Sequence, residues 1–378
     1  MSAQESHLQV SRVRESHWYH HPEARTWVDT SAPPSARHFH QRMPGYAPTK
    51  LIETPHLATE LGVASVQVKD ESTRLGLPAF KILGASWASA QAIATHTGTP
   101  ATDITALAGA AAGTGIELVT ATDGNHGRAV ARMAGLLDLV AAVYVPAAMT
   151  DDAAAAIAQE GAWVVRVEGD YDDAVMAAAE YADADEAREL VQDTAWEGYE
   201  QVPAWVVQGY RTLLAEIDEQ FGVPDLVVVP VGVGSLAQAV VSHYRQSGID
   251  PAVAPALLGV EPDSAACLLT SLRAGEPVSV ATGGSVMAGL NCGTVSASAW
   301  PVLRQGMDAV VTVSDDQALQ ATEDLSRLGV SSGPSGAATL AGLRAALTDP
   351  SRREQLGVTA ASAVVLLNTE GARPAGSQ

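Results

Sequence analysis

Leu226-Val227-Val228-Val229-Pro230-Val231-Gly232-Val233-Gly234-Ser235-Leu236 is an apolar run that passes into two glycines and a serine. A run without polar alternation reads as a strand buried on both faces, hence parallel and covered by helices on each side. The glycines let the chain turn sharply into a helix, whose first backbone N–H groups lack intrahelical partners and can face an anion. The same rhythm of β-branched run, turn and helical pattern recurs at 66–68, 116–120, 140–145, 163–167, 256–260, 309–313 and 363–367. This predicts an α/β fold with parallel sheets flanked by helices. Trp87, Ala90 and Ala94, and then Val206, Tyr210, Leu213 and Ile217, recur at helical spacing and supply the stripes that cover a sheet. The stretch 106–115, made mostly of alanine, glycine and threonine, is expected to be a flexible loop.

Outward from these runs, 378 residues suffice for two or three compact units at about 150 residues each. The 47% hydrophobic and 17% charged content excludes a disordered chain. A formal charge of −21 disfavours nucleic acid as a partner. The apolar run 226–241 is broken by Pro230, Gly232, Gly234, Ser235 and Gln238, and the run 134–149 by Asp138, so neither spans a membrane. Residues 1–14 carry Glu5, His7, Arg12 and Arg14 where a secretory signal would be apolar, which makes a cytoplasmic location the expectation. Cys267 and Cys292 are too few for a disulfide framework, and they lack the clustering of a zinc site, so no metal is expected. Six of the ten histidines precede residue 41, in a stretch expected to form a surface strap. The segment 373–378 reads as a frayed tail.

Three segments carry chemistry. In Ala79-Phe80-Lys81-Ile82-Leu83-Gly84, one of only three lysines sits among apolar neighbours. Burial would lower its pKa and leave a neutral amine able to form a Schiff base with an aldehyde; the alternative is a packed stem whose head reaches water. Thr120-Ala121-Thr122-Asp123-Gly124-Asn125-His126-Gly127 is a second strand-to-helix turn, suited either to a substrate carboxylate or to simple helix capping by Asp123 or Asn125. The third is the 232–236 turn itself. It lacks the third glycine of a dinucleotide fingerprint, so a monophosphate suits it better than a nicotinamide cofactor.

In this order the three segments resemble the fold-type II pyridoxal-phosphate enzymes, the tryptophan synthase β and threonine dehydratase group. Within that group they are most similar to the diaminopropionate ammonia-lyases. The closer likeness rests on Arg42-Met43-Pro44-Gly45-Tyr46, Lys69-Asp70-Glu71-Ser72, Ala79-Phe80-Lys81, Asp123-Gly124-Asn125-His126-Gly127, Gln192-Asp193-Thr194-Ala195-Trp196-Glu197-Gly198-Tyr199, Gln208-Gly209-Tyr210 and Met287-Ala288-Gly289-Leu290-Asn291-Cys292-Gly293. The dehydratases usually carry serine where Asp123 stands.

The resemblance implies pyridoxal 5'-phosphate on Lys81 and its phosphate on Gly232, Val233, Gly234, Ser235 and Leu236. Phe80 would meet the cofactor, Asn125 would touch the ring hydroxyl, and Asn368 or Thr369 would face the ring nitrogen. Thr122, Asp123, Gly124, Asn125, His126, Asp193 and Tyr199 would meet a small amino-acid substrate, with Lys81, Asp123 and Asp193 catalytic. The implied reaction is α,β-elimination from a small diamino acid to a 2-oxo acid and ammonia. Alternatives are another β-substituted amino acid, as in serine or threonine dehydration, β-replacement or racemisation, and a non-catalytic relative of the fold. A homodimer is implied, with a large domain of 1–87 plus 206–378 and a small one of 88–205. The sequence departs from the ammonia-lyase pattern at Lys50, at Gly333-Pro334-Ser335-Gly336, and at Asn368-Thr369-Glu370-Gly371, which leads into Ala372-Arg373-Pro374.

Overall fold

The computed structural model describes residues 16–31, 36–122 and 124–372; the expectations for 1–14, Asp123 and 373–378 lie outside them. Among the described residues, eleven strands form two sheets. The larger has seven: β1 (Trp18–His20), β2 (Leu51–Glu53), β3 (Ser65–Asp70), β8 (Leu226–Pro230), β9 (Ala256–Pro262), β10 (Ala309–Val313) and β11 (Ala363–Asn368). Their order is β1-β10-β9-β8-β11-β3-β2, with only the two edge strands antiparallel. The smaller sheet is wholly parallel. It contains β4 (Glu117–Ala121), β5 (Val140–Pro146), β6 (Trp163–Val167) and β7 (Arg188–Leu190) in the order β6-β5-β4-β7.

Double-sided burial explains the apolar runs. In β8, Val227 and Val229 join one hydrophobic core while Leu226 and Val228 join the other, and all four are fully buried. Pairing of Val364 with Leu226 and of Asn368 with Asp70 sets the C-terminal ends of β8, β11 and β3 side by side. Turns after parallel strands therefore converge on one edge, where ligands bind in open α/β sheets.

The stretch 106–115 is not a loop throughout. A helix spans Ile104–Ala111, capped by the Asp103 carboxylate, which accepts from the Ala106 N–H at 2.9 Å. Ile104, Leu107 and Ala111 form its buried stripe. The histidine-rich strap is also more than surface: His40 is fully buried between the Thr212 hydroxyl (2.7 Å) and the Leu83 carbonyl (3.0 Å). The expected domain limits at 87/88 and 205/206 each fall inside a continuous helix, Lys81–Thr97 and Gln201–Gln220. Those helices cross closely. A Cβ on Gly84 would lie 2.5 Å from the Tyr210 ring, and one on Gly209 would collide with the Leu83 carbonyl oxygen.

Two buried polar groups brace the larger sheet. Glu216 accepts from Lys69 Nζ (2.7 Å), from two guanidinium nitrogens of Arg74 (2.7 and 2.8 Å) and from the Tyr46 hydroxyl (2.8 Å), while Arg74 also donates to Glu71 (2.7 Å). These four charged side chains are at most 1% exposed. At the end of β9, Glu261 accepts the N–H groups of Leu268 and Leu269, each at 2.8 Å, at the head of the Cys267–Ala274 helix. Burial nonetheless pushes its carboxyl up to about 7.

Candidate active site

A cavity of about 830 Å³ opens where the two sheets' C-terminal edges face each other, lined by all three sequence segments. Lys81 is placed by the loop that follows β3: the Phe80 N–H donates to the Thr369 carbonyl at the end of β11 (3.2 Å), and the helix begins at the lysine. Its ammonium donates to Asp193 Oδ2 at 2.5 Å and stands 5.4 Å from the centroid of the Phe80 ring. Phe80 in turn packs on Tyr210, 4.6 Å between centroids.

This pairing reverses the expected charge state. Burial does press the Lys81 amine towards neutrality, but the Asp193 carboxylate and the neighbouring Tyr210 more than offset it, so its pKa lies above the ordinary lysine value. Burial would likewise favour a neutral Asp193, yet the Lys81 ammonium takes that carboxyl down to about 2. Only 5% of Asp193 is exposed, so the two groups depend on each other for charge compensation. His126 is the third member. Its Nε2 lies 2.8 Å from the Val191 carbonyl, which can only accept, so the proton sits on Nε2. Nδ1 is then unprotonated and buried, 3.8 Å from Asp193 Oδ2. Burial is the main cause of its lowered pKa.

The segment 192–199 is a brace for Asp193. The Gln192 side-chain Oε1 accepts from Thr120 Oγ1 (2.9 Å) and Ala121 N–H (3.1 Å), and its Nε2 donates to the Tyr171 hydroxyl (2.7 Å). Tyr199 does not line the cavity: its hydroxyl accepts from Gln192 N–H (2.9 Å) and donates to the Leu190 carbonyl (2.7 Å), with the Trp196 ring stacked on it. It positions the strand end rather than meeting a ligand. Ser235 Oγ donates to the Asp193 carbonyl (2.6 Å), tying this segment to the glycine turn.

That turn is a cradle of backbone. The N–H groups of 232–236 have no acceptor among the described residues, and all five residues line the cavity. Gly234 has φ +100°, and a Cβ on Gly232 would lie 2.9 Å from the Gly289 carbonyl oxygen, so both positions require glycine. Across the cavity, Thr122 Oγ1 accepts from Gly124 N–H (2.9 Å) and Gly127 N–H (3.0 Å) and shapes the second turn. Asp123 lies outside the described residues. Asn125 and His126 follow at the head of the Asn125–Leu136 helix, both lining the cavity.

At the end of β11, Thr369 lines the cavity, whereas Asn368 is fully buried behind it, its amide donating to Asp70 (3.0 Å) and to the Ser331 carbonyl (2.7 Å). Sequence reasoning did not assign Glu370, Ser335, Cys292 or Tyr171 to the site, and all four line it. Glu370 was within reach, as the residue following Asn368-Thr369 in the departing motif. Pro334 is the first residue of the Pro334–Leu347 helix, where its missing N–H costs no helical bond.

The donor set fits pyridoxal phosphate: one primary amine, a nest of free amides with no competing carboxylate in it, and an aromatic wall. Comparison with known proteins agrees. Residues 42–369 match the family described as pyridoxal-phosphate dependent enzyme. The chain is 36% identical over 353 residues to the diaminopropionate ammonia-lyase of Escherichia coli, covering 89% of this chain and 87% of that protein. The Escherichia coli enzyme solved with D-serine superposes with a TM-score of 0.84 at 32% identity, over 95% of each chain. Solved with an aminoacrylate–pyridoxal-phosphate azomethine reaction intermediate, it gives 0.82 at 31% identity, over 94% of each chain.

Proposed function

The chain belongs to the pyridoxal-phosphate-dependent enzyme family, and on that footing we propose that it is an ammonia-lyase converting 2,3-diaminopropionate to pyruvate and ammonia. Pyridoxal phosphate, bound through Lys81, draws electrons away from the substrate Cα and so makes its proton removable. The amides of 232–236 would hold the phosphate, Phe80 would lie beside the ring, Asn125 would touch the ring hydroxyl, and Thr369 would face the ring nitrogen. The backbone N–H groups of Asn125 and His126, which have no acceptor among the described residues, would take the substrate carboxylate. Lys81 removes the Cα proton on one face and Asp123 on the other, which would admit both configurations.

One observation carries the choice of substrate, the 2.5 Å contact between Lys81 and a buried Asp193. While Lys81 is bound to the aldehyde, or stands free as the neutral base that takes the Cα proton, it offers Asp193 no full positive charge, and the carboxylate faces the cavity as an anion short of a partner. A β-ammonium restores the pair, whereas a serine hydroxyl leaves the carboxylate uncompensated in a buried place. Asp193 also keeps the β-nitrogen protonated, and only a protonated amine departs readily as ammonia. A homodimer in the cytoplasm, divided into 1–87 plus 206–378 and 88–205, completes the proposal.

Purified protein should show a visible absorption band that is lost in Lys81→Ala. It should release keto acid and ammonia faster from 2,3-diaminopropionate than from serine or threonine. Inactivity on the diamine beside turnover of a hydroxy amino acid would overturn the substrate, and light scattering tests the dimer.

A further inference from the structure

Glu370 is a carboxylate in the cavity that the reaction just described does not use. It follows β11, is 5% exposed, and commits its two oxygens to two different parts of the molecule. Oε1 accepts the Ser335 N–H at 3.1 Å, at the head of the Pro334–Leu347 helix beside the larger sheet. Oε2 accepts from Asn125 Nδ2 at 3.0 Å, at the head of the Asn125–Leu136 helix beside the smaller one. A Cβ on Gly333 would lie 2.5 Å from Oε1, so the turn leaves room for this carboxylate only because no side chain competes for it. The Glu370 carbonyl also accepts the Gly333 N–H at 3.1 Å, which fixes the side chain's starting point.

The two ends of an asparagine amide have nearly the same shape and opposite hydrogen-bonding sense. A carboxylate only accepts, so only the Nδ2 end of Asn125 can face Glu370. One Nδ2 proton is then given to Oε2, and the second remains for the cavity. We propose that Glu370 is a positioning residue that locks the amide of Asn125 in the orientation presenting N–H, and not carbonyl oxygen, to the ring oxygen of pyridoxal phosphate. Ser335 serves as the anchor that holds Glu370 in place. The inference rests on the assignment of Asn125 to the cofactor ring. It adds the residue that sets the sense of that contact.

Glu370→Gln tests it. Glutamine keeps the size but has one accepting oxygen for two donors, so its own NH2 meets either Ser335 N–H or Asn125, and in the second case the asparagine inverts. Apoprotein titrated with pyridoxal phosphate should bind it roughly tenfold more weakly in Glu370→Gln, the scale of one hydrogen bond to a charged group. The visible band of the bound cofactor should shift as well, because the ring oxygen has lost its donor. In an Asn125→Ala background the same glutamine substitution should change neither quantity further. Wild-type affinity and spectrum in Glu370→Gln would overturn the proposal. So would an equal loss in both backgrounds, which would mean that Glu370 acts only as a helix cap. Should the glutamine variant fail to fold by circular dichroism, Glu370→Ala replaces it: the amide is unseated without an opposing donor, and the effect must again vanish with Asn125→Ala. Wild-type protein that binds no pyridoxal phosphate would instead sink the cofactor assignment beneath the inference.

Discussion

Asp193 is a buried anion whose partner is a single ammonium, and its removal should read out as substrate selectivity. In Asp193→Asn the kcat/KM for 2,3-diaminopropionate should fall roughly 100-fold or more, the scale of breaking a buried ion pair, with a much smaller fall for serine. Parallel assays of the two substrates check this. Glu261 makes a separate claim about pH. Its folded-state carboxyl sits at about 7, above the ordinary glutamate value of about 4.3. The folded protein therefore retains a proton that the unfolded chain releases across that window, and stability falls as pH rises through it, levelling off above. The Tm of Glu261→Gln minus that of the wild type should climb by a few degrees between pH 5 and 8, with roughly 3 kcal/mol as the upper scale. A flat difference would show that the buried carboxyl does not titrate there. Sequence reading found Lys81 and Asp193 separately but gave the lysine the wrong charge, because only the fold reveals that residues 112 positions apart share a hydrogen bond.

Among the elements, the crossing of the Lys81–Thr97 and Gln201–Gln220 helices decides where the lysine stands. Gly209→Ala would drive a methyl into the Leu83 carbonyl oxygen and to 2.7 Å from Gly84 Cα. Separating the helices should cost about 1–3 kcal/mol of stability, seen in denaturant unfolding, and should weaken cofactor binding in a spectroscopic titration. The long parallel strands were legible because burial on both faces leaves an apolar run that needs no partner to be recognised. β1, β2 and β7 were not, since three residues cannot show a period and their pairing is decided by remote neighbours. The Ile104–Ala111 helix was hidden by its alanine-rich composition, although Asp103 and the buried stripe at 104, 107 and 111 were there to be read. Tyr199 was legible as a member of its motif but not as a brace, because a motif records which residues recur and not which way they point.

For the molecule as a whole, Lys69, Glu71, Arg74 and Glu216 join the chain before β2, the end of β3 and the Gln201–Gln220 helix into one charged knot. Burial would favour a neutral Glu216, but hydrogen bonds and charge from Arg74, then Lys69, hold its carboxyl at about 2. Glu216→Gln leaves buried cations uncompensated and should lower the unfolding free energy by about 3–5 kcal/mol at neutral pH, measured in guanidinium chloride. The depressed value means that the stabilisation is present above the unfolded glutamate range, about 4.3, and is lost as pH falls towards 2, so the gap between variant and wild type should close in acid.

The phosphate cradle at 232–236 contains no lysine or arginine, in a chain of net charge −21. An incoming phosphate is repelled by the distant acidic surface until the amides are close enough to grip it. Raising ionic strength shortens that repulsion to about 8 Å at 0.15 M. Stopped-flow recombination of apoprotein with pyridoxal phosphate should therefore run faster in salt, while a doubly aminated substrate, drawn in by the same surface, should arrive more slowly.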